Sequence, residues 1–217
     1  MSGPVRHALA GVVAALALGA CATPHPSYDY TAFNAHFPRS ILILPPLNES
    51  TSVTATYGYL STVTKPVAER GYYVFPVAVV DQFLKQNGMP TPGEMHQVPL
   101  EKVREIIGAD AVLFATINEY GSKYKVLSSD TVVRVSARLV DTRTGTLLWE
   151  GHGTGRQSSG GSGNIVADLV GAVVAQGLNS TKDASHDISR VANTQLFTLE
   201  SQGLPYGPYS PSFGKPL

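Results

Sequence analysis

Ile41-Leu42-Ile43-Leu44 is an unbroken apolar run closed by Pro45-Pro46. A short, β-branched run ended by proline predicts a strand buried on both faces, and so a sheet covered by helices. Thr54 to Arg70 predicts a helix stopped by Gly71. Pro66 inside it predicts either a kink or the start of a second helical piece. Tyr72 to Phe75 is a second short strand, and Val77 to Asn87 a helix ended by Gly88. The stretch "GMPTPGEMHQVP" is rich in proline and glycine and predicts a loop. Leu100, Val103, Ile106 and Ile107 have helical spacing, which places a third helix over 99–107, ended by Gly108.

The second half changes period. Ala111 to Glu119 predicts a long buried strand. Thr131 to Val140 alternates: Val133, Val135, Ala137 and Leu139 share one face, and Arg134, Ser136 and Arg138 the other. That pattern puts one face in a core and leaves the other more solvated. "DTRTG", with Gly145, predicts a tight hairpin to a partner strand from Leu147 to His152 that carries Trp149. Gly151 to Gly163 is low in complexity and predicts a flexible connector. Asn164 is a candidate N-cap for a helix to about Leu178 with an apolar stripe from Ile165 to Val174. A last helix over about Lys182–Glu200 buries Ile188, Val191, Ala192, Leu196 and Leu199, and the final 17 residues, from Ser201, form an irregular tail. The order β-α-β-α-α-β-β-β-α-α predicts one α/β domain, in three layers or two, with a mixed sheet of about five strands and about five helices.

The beginning of the chain has another use. Ala8 to Leu18 is uncharged and apolar, too short for the roughly 20 residues of a spanning helix but suited to the hydrophobic region of a secretory signal. Arg6 and His7 precede it, and Leu18-Gly19-Ala20-Cys21 follows. These four residues resemble a bacterial lipobox, which implies cleavage before Cys21 and diacylation and N-acylation of that residue. Several fatty chains on one cysteine suffice to hold a protein at a bilayer, where one gives marginal binding. Ala22 stands where an aspartate would resemble an inner-membrane retention signal, so the outer membrane is the expected location. The expected organisation is a signal peptide at 1–20, a lipidated tether at 21–39, a periplasmic domain at 40–200 and a Pro/Gly/Tyr-rich tail at 201–217.

Composition excludes some classes. The 217 residues carry 16 basic and 16 acidic side chains. Removing Arg6 with the signal leaves 15 against 16. Such a balance does not predict a nucleic-acid binder. Cys21 is the sole cysteine; once acylated it leaves no thiol for a disulfide, a nucleophile or a metal, and no cofactor is expected beyond the covalent lipid. The histidines, at 7, 25, 36, 96, 152 and 186, form no metal-binding spacing. The glycine-rich loop follows a strand and precedes a helix, yet it lacks G-x-G-x-x-G, G-x-x-x-x-G-K-[ST] and any lysine, with Arg156 its one fixed positive charge. Ser162 in "GGSGN" misses the nucleophile elbow at its last position, Asn164. Glu101 and Glu105 alternate with Lys102 and Arg104 as a solvated helix face.

Two features suit contacts between proteins. Ala167, Gly171 and Ala175 recur at four-residue spacing; this small ridge serves either tight packing on the domain's own sheet or a subunit or partner contact, including a homo-oligomer. Tyr206, Tyr209 and Phe213 are spaced by prolines and glycines in the tail, which is either disordered or a partner segment anchored by aromatics.

"SILILPPLNES", "LSTVTKPVAERGYYVFPVAVV", "GADAVLFATINEYGS" and "DTRTGTLLWEG" together resemble a family of Gram-negative lipoproteins of unknown function, of the meningococcal genome-derived antigen type. The resemblance runs from Cys21 to about Leu199. "DTRTGTLLWEG" and "ILPP" are more distantly similar to the amino-terminal domain of TolB and the periplasmic domain of CsgG, and LpoB has a similar fold. These likenesses imply a domain that works by contact and assembly with envelope proteins rather than by catalysis, and only Cys21 carries over as a functional residue. The expected function is an outer-membrane lipoprotein serving as a scaffold or accessory subunit of an envelope assembly or secretion complex. The alternatives are an LpoB-like regulator of peptidoglycan synthesis and a ligand-binding or hydrolytic protein with a site near 151–164, for which a pocket of His152, Arg156 and a carboxylate is expected.

Overall fold

The computed structural model describes residues 28–125, 128–158, 184–199 and 201–215. Among these residues six strands form one mixed sheet: β1 Ser40–Ile43, β2 Leu47–Asn48, β3 Tyr73–Val74, β4 Ala111–Lys125, β5 Ser128–Asp141 and β6 Leu147–Ser158. The order is β3-β1-β4-β5-β6, with β2 beside the later part of β4. β1 runs parallel to β3 and β4, and β2 parallel to β4. β4-β5 and β5-β6 are antiparallel. The described helices are α1 Thr31–His36, α2 Ala55–Glu69, α3 Val77–Gln86, α4 Pro92–Met95, α5 Leu100–Lys102 with a π-wound continuation Val103–Ile107, and α6 Ala184–Thr198.

Alternation along the strands sorts the side chains into two cores. Ile41 and Ile43 of β1, Ala111 to Ile117 at every second position of β4, and Val133, Val135, Ala137 and Leu139 of β5 meet α2, α6 and Phe33 on one side. Leu42, Leu44, Val112, Phe114 and Val140 meet α3, α4 and α5 on the other. The parallel half of the sheet is therefore a three-layer sandwich. In the antiparallel half, Arg134, Arg138, His152, Thr154 and Arg156 on the second face are exposed, Val132 and Asp130 further along it are buried, and no described helix covers that face.

Several expectations change. α2 passes through Pro66 as one helix, at the loss of the main-chain bond that an N–H at position 66 would give the Thr62 carbonyl. The expected loop at 88–99 holds α4. Thr91 accepts the Glu94 N–H, and the Glu94 carboxylate accepts the Thr91 N–H in return, with Pro92 at the first helical position. This is the reciprocal cap that T-P-G-E encodes. β2 is too short to show a period.

The largest correction concerns 151–158, expected as flexible connector and found as the second half of β6. Gly151, Gly153 and Gly155 point to α6, and His152, Thr154 and Arg156 to solvent. A Cβ on Gly153 would collide with the Ala192 carbonyl oxygen and lie 2.8 Å from Leu196 Cβ; one on Gly155 would strike the Ile188 carbonyl and lie 2.8 Å from Ile188 Cγ2. Glycine here supplies room, so that helix backbone rests directly on strand backbone. α6 is fastened to α2 as well, where Asn193 Nδ2 donates to Thr62 Oγ1 at 2.9 Å in a buried position.

Gly153→Ala should lower the free energy of unfolding by about 1–3 kcal/mol, the cost of overpacking a close-packed contact. Thr154→Ala, one residue away on the solvent face, should change it by less than about 0.5 kcal/mol. Denaturant titrations of the two variants check the pair.

His96 gives a second prediction. It packs edge-on against Phe114 at 5.3 Å, and its Nε2 lies 2.9 Å from the Pro45 carbonyl oxygen. Burial lowers its pKa from 6.5, and the Arg138 charge adds to that, outweighing the opposing Pro45 bond. A depressed histidine binds its proton more weakly folded than unfolded, so stability is full above the unfolded value and falls as pH drops through it. Unfolding free energy should therefore decline below about pH 6.5, and His96→Phe should flatten that part of the pH profile.

Candidate functional site: the end of the sheet where both terminal segments meet

The strands β1, β3 and β4 start, and the β5-β6 hairpin turns, at one end of the sheet. Two aspartates build that end. Asp110 Oδ2 accepts the N–H groups of Arg39 and Ser40 at 3.0 and 3.1 Å, which fixes the entry of β1 beside β4. Asp141 Oδ1 accepts the N–H groups of Arg143 and Thr144 at 3.0 and 2.8 Å, and Gly145 completes the turn at φ +70°. Burial alone would raise the Asp141 pKa. The Thr144 and Arg143 donors and the nearby His36 outweigh it and hold the carboxyl below its usual range.

Onto this frame fold both terminal segments. The N–H of Glu150 donates to the Tyr28 hydroxyl at 2.8 Å, and Tyr28 N–H to the Ser201 carbonyl at 3.3 Å. Tyr30 donates to Gly203 O at 2.7 Å, and burial pushes its phenol up to about 12. Phe33 is buried in the main core. The stretch expected as tether up to residue 39 is thus part of the domain from Tyr28 onward, because its aromatics find partners that no local period announces. The tail is also docked. Trp149 Nε1 donates to Gln202 O at 2.9 Å, Tyr72 to Pro205 O at 2.7 Å, and Leu204 is fully buried. Gly207 and Tyr209 donate to the carbonyls of Arg70 and Gly71 at 2.8 and 3.0 Å. The Arg70 guanidinium lies 4.6 Å over the Tyr206 ring.

Of the residues singled out from sequence, Tyr206 is engaged with Arg70, while Tyr209 stays exposed. Cys21, His7, His25, Ser162, Ala167, Gly171 and Ala175 lie outside the described residues, as do the signal segment and the helix expected at 164–178. His152 and Arg156 are both exposed on β6, four positions and so about 13 Å apart; they do not converge. Among the described residues no group of three or more His, Cys, Asp or Glu is placed to hold a metal, and no helix is long and apolar enough to cross a membrane. Phe37 is the residue sequence reading missed here. It ends α1 at φ +43°, is exposed, and packs edge-on against Phe213 at 5.8 Å.

A mixed sheet whose described helices cover both faces of its parallel half, closed at one end by the chain's own terminal segments, defines a small α/β domain. The chain belongs to the family described as "Putative lipoprotein GNA1162-like", whose model matches residues 28–209. It is 44% identical over 201 residues to "Putative lipoprotein NMB1124/NMB1162" of Neisseria meningitidis serogroup B (strain ATCC BAA-335 / MC58), covering 91% of this chain and 94% of that one. The crystal structure of lipoprotein GNA1162 from Neisseria meningitidis matches with a TM-score of 0.54 and 50% identity, covering 58% of this chain and 87% of that chain. The LpoB C-terminal domain from Salmonella enterica shows a weaker likeness, with a TM-score of 0.40 and 17% identity over 54% of this chain and 81% of that one.

Leu204→Ala should cost about 2–4 kcal/mol of unfolding free energy, as for other buried leucines. A denaturation midpoint equal to the parent's would show that the tail contributes nothing to the core.

Proposed function

We propose that this chain is an outer-membrane lipoprotein acylated at Cys21 after loss of residues 1–20, and that its domain acts without catalysis as a scaffold or accessory subunit in an envelope assembly. The observation that carries the partner role is the exposed face of β5 and β6. Arg134, Arg138, His152, Thr154 and Arg156 stand on it in fixed register, with Ser136 half-buried among them. Arg134 pairs with Glu119 at 3.2 Å, Arg138 lies 4.8 Å over the Phe114 ring, and Ser136 donates to Asn118 at 3.2 Å. Arginines held in place by neighbours lose little freedom on binding and are favoured at interfaces. Covering this face with a partner would add a layer that no described helix supplies. The separation of His152 and Arg156 speaks against a reaction centre on the same strand.

In cells fed labelled palmitate, the wild-type product should take up label and sediment with membranes, and Cys21→Ser should do neither. A photo-crosslinking residue at Ser136 or Thr154 should trap an envelope protein that the same residue at Val53 does not. Adducts no stronger than at Val53 would remove the partner face from the account.

A further inference from the structure

The end of the domain that receives both terminal segments also gathers large apolar side chains that the fold leaves uncovered. Phe37 is 48% exposed, Tyr73 52%, Leu147 43%, Tyr209 66% and Phe213 44%. They are neighbours through the backbone. Tyr73 N–H donates to Arg39 O two residues after Phe37, Tyr209 N–H to Gly71 O two residues before Tyr73, and Phe213 rests on Phe37. A bulky residue in the left-handed region, as Phe37 is at φ +43°, is disfavoured by sterics that a glycine would escape. The strained backbone here goes with a half-exposed ring. Arg39, Arg143 and Lys215 are exposed at the same end. Of the carboxylates nearby, Asp29, Asp110 and Asp141 accept main-chain N–H groups, and Glu150 is exposed beside Tyr28.

Covalent geometry says what covers these rings. Tyr28, packed against Glu150 and Ser201, is seven positions after Cys21. Seven residues span at most about 24 Å. Glu150 pairs with Arg138 and Arg138 with Phe114, so Tyr28 is level with Phe114 on β4. From there β4 continues eleven residues to Lys125, about 36 Å further. An anchor at Cys21 therefore keeps the lipid within about 24 Å of Tyr28, close to the aromatic end, and the far end of the β4-β5 hairpin, about 36 Å further on, cannot be the seated end. We infer that this end is seated on the bilayer, with Phe37, Tyr73, Tyr209 and Phe213 in the headgroup layer and Arg39, Arg143 and Lys215 against lipid phosphates. Amphipathic aromatic rings favour that boundary, where one side is apolar and the other wet. The inference rests on acylation of Cys21.

The experiment uses the purified acylated protein in vesicles of phosphatidylethanolamine and phosphatidylglycerol. Cys21 is the sole native cysteine, so Phe213→Cys, Tyr209→Cys or Val53→Cys each adds one free thiol for a nitroxide label. On vesicles, labels at 213 and 209 should lose most of their collisions with an aqueous nickel chelate and gain collisions with oxygen, and the label at 53 should change in neither. Equal accessibility at 213, 209 and 53 overturns the seating. So does protection at 213 and 209 from both quenchers together with a doubled particle mass in detergent, which would mean that a second copy covers the rings. Failure of acylation reads differently: the unsubstituted protein itself then takes up label at Cys21, and its mass shows no acyl chains.

Discussion

The contact on which the rest of the structure depends is the seating of α6 on the glycine side of β6. Gly151, Gly153 and Gly155 occupy alternate positions, and Trp149 and Leu196, Ala192 and Leu196, and Ile188 fill the space that side chains would otherwise take. Each glycine in a strand costs about 0.5–1 kcal/mol of backbone entropy relative to alanine. What it returns is a helix lowered far enough for Ile188, Ala192, Leu196 and Phe197 to join Val133, Val135 and Trp149 in one core. Side chains on β6 would lift α6 away, and β5 and β6 would lose the cover on their apolar side. β6 is also a sheet edge, and edges invite unwanted pairing. Two of its outward N–H groups are occupied, that of Glu150 by the Tyr28 hydroxyl and that of Thr154 by Gln195 Oε1 of α6 at 2.6 Å.

Once α6 holds one face, the two halves of the sheet take different surroundings. β1 and the start of β4 are apolar on both sides, as parallel strands under crossover helices must be, and α3 to α5 close over Leu42, Leu44 and Val112. The later strands are mostly apolar on the α6 side, with Val132 and Val140 of β5 the buried apolar residues on the other. Their other face keeps arginines whose charge would be costly to bury without partners. The polar face is thus a consequence of the alternation in β5 and β6, and it runs from Arg138, level with Tyr28, toward the far end of the strands.

Much of this was legible because period survives in sequence. The apolar run of β1, the alternation of β5, the stops at Gly71, Gly88 and Gly108, and the hairpin at Gly145 are local signals, and the glycines take positive φ as such stops require. What was not legible depended on distant partners. G-H-G-T-G-R reads as loose chain, although its glycines keep the period of a strand; nothing local shows that a helix some forty residues later fills the gap. The segment 28–39 and the tail read as irregular because their order comes from hydrogen bonds to each other and to Trp149, Tyr72 and Arg70, not from any repeat. Exposed rings such as Phe37 cannot be told from buried ones without the fold.

The same terminal segments explain how an anchor can orient a domain rather than merely localise it. A long flexible linker leaves its cargo free to tumble, because its end-to-end distance grows with the square root of its length and sets no direction. Here the chain becomes part of the sheet's hydrogen-bonding frame by Tyr28. Tyr28 and Tyr30 are bound to Glu150, Ser201 and Gly203, and the tail is bound to Arg70 and Gly71 at the start of β3. Any pull on the amino terminus is therefore delivered to β6, the tail and the strand starts together. With β4 running on by about 36 Å from the level of Tyr28, a lipid at Cys21 would leave the long strands extending away from it, and Arg134 and Arg156 with them. Acylation at Cys21 would then set orientation as well as location, because both terminal segments close the same end of the sheet.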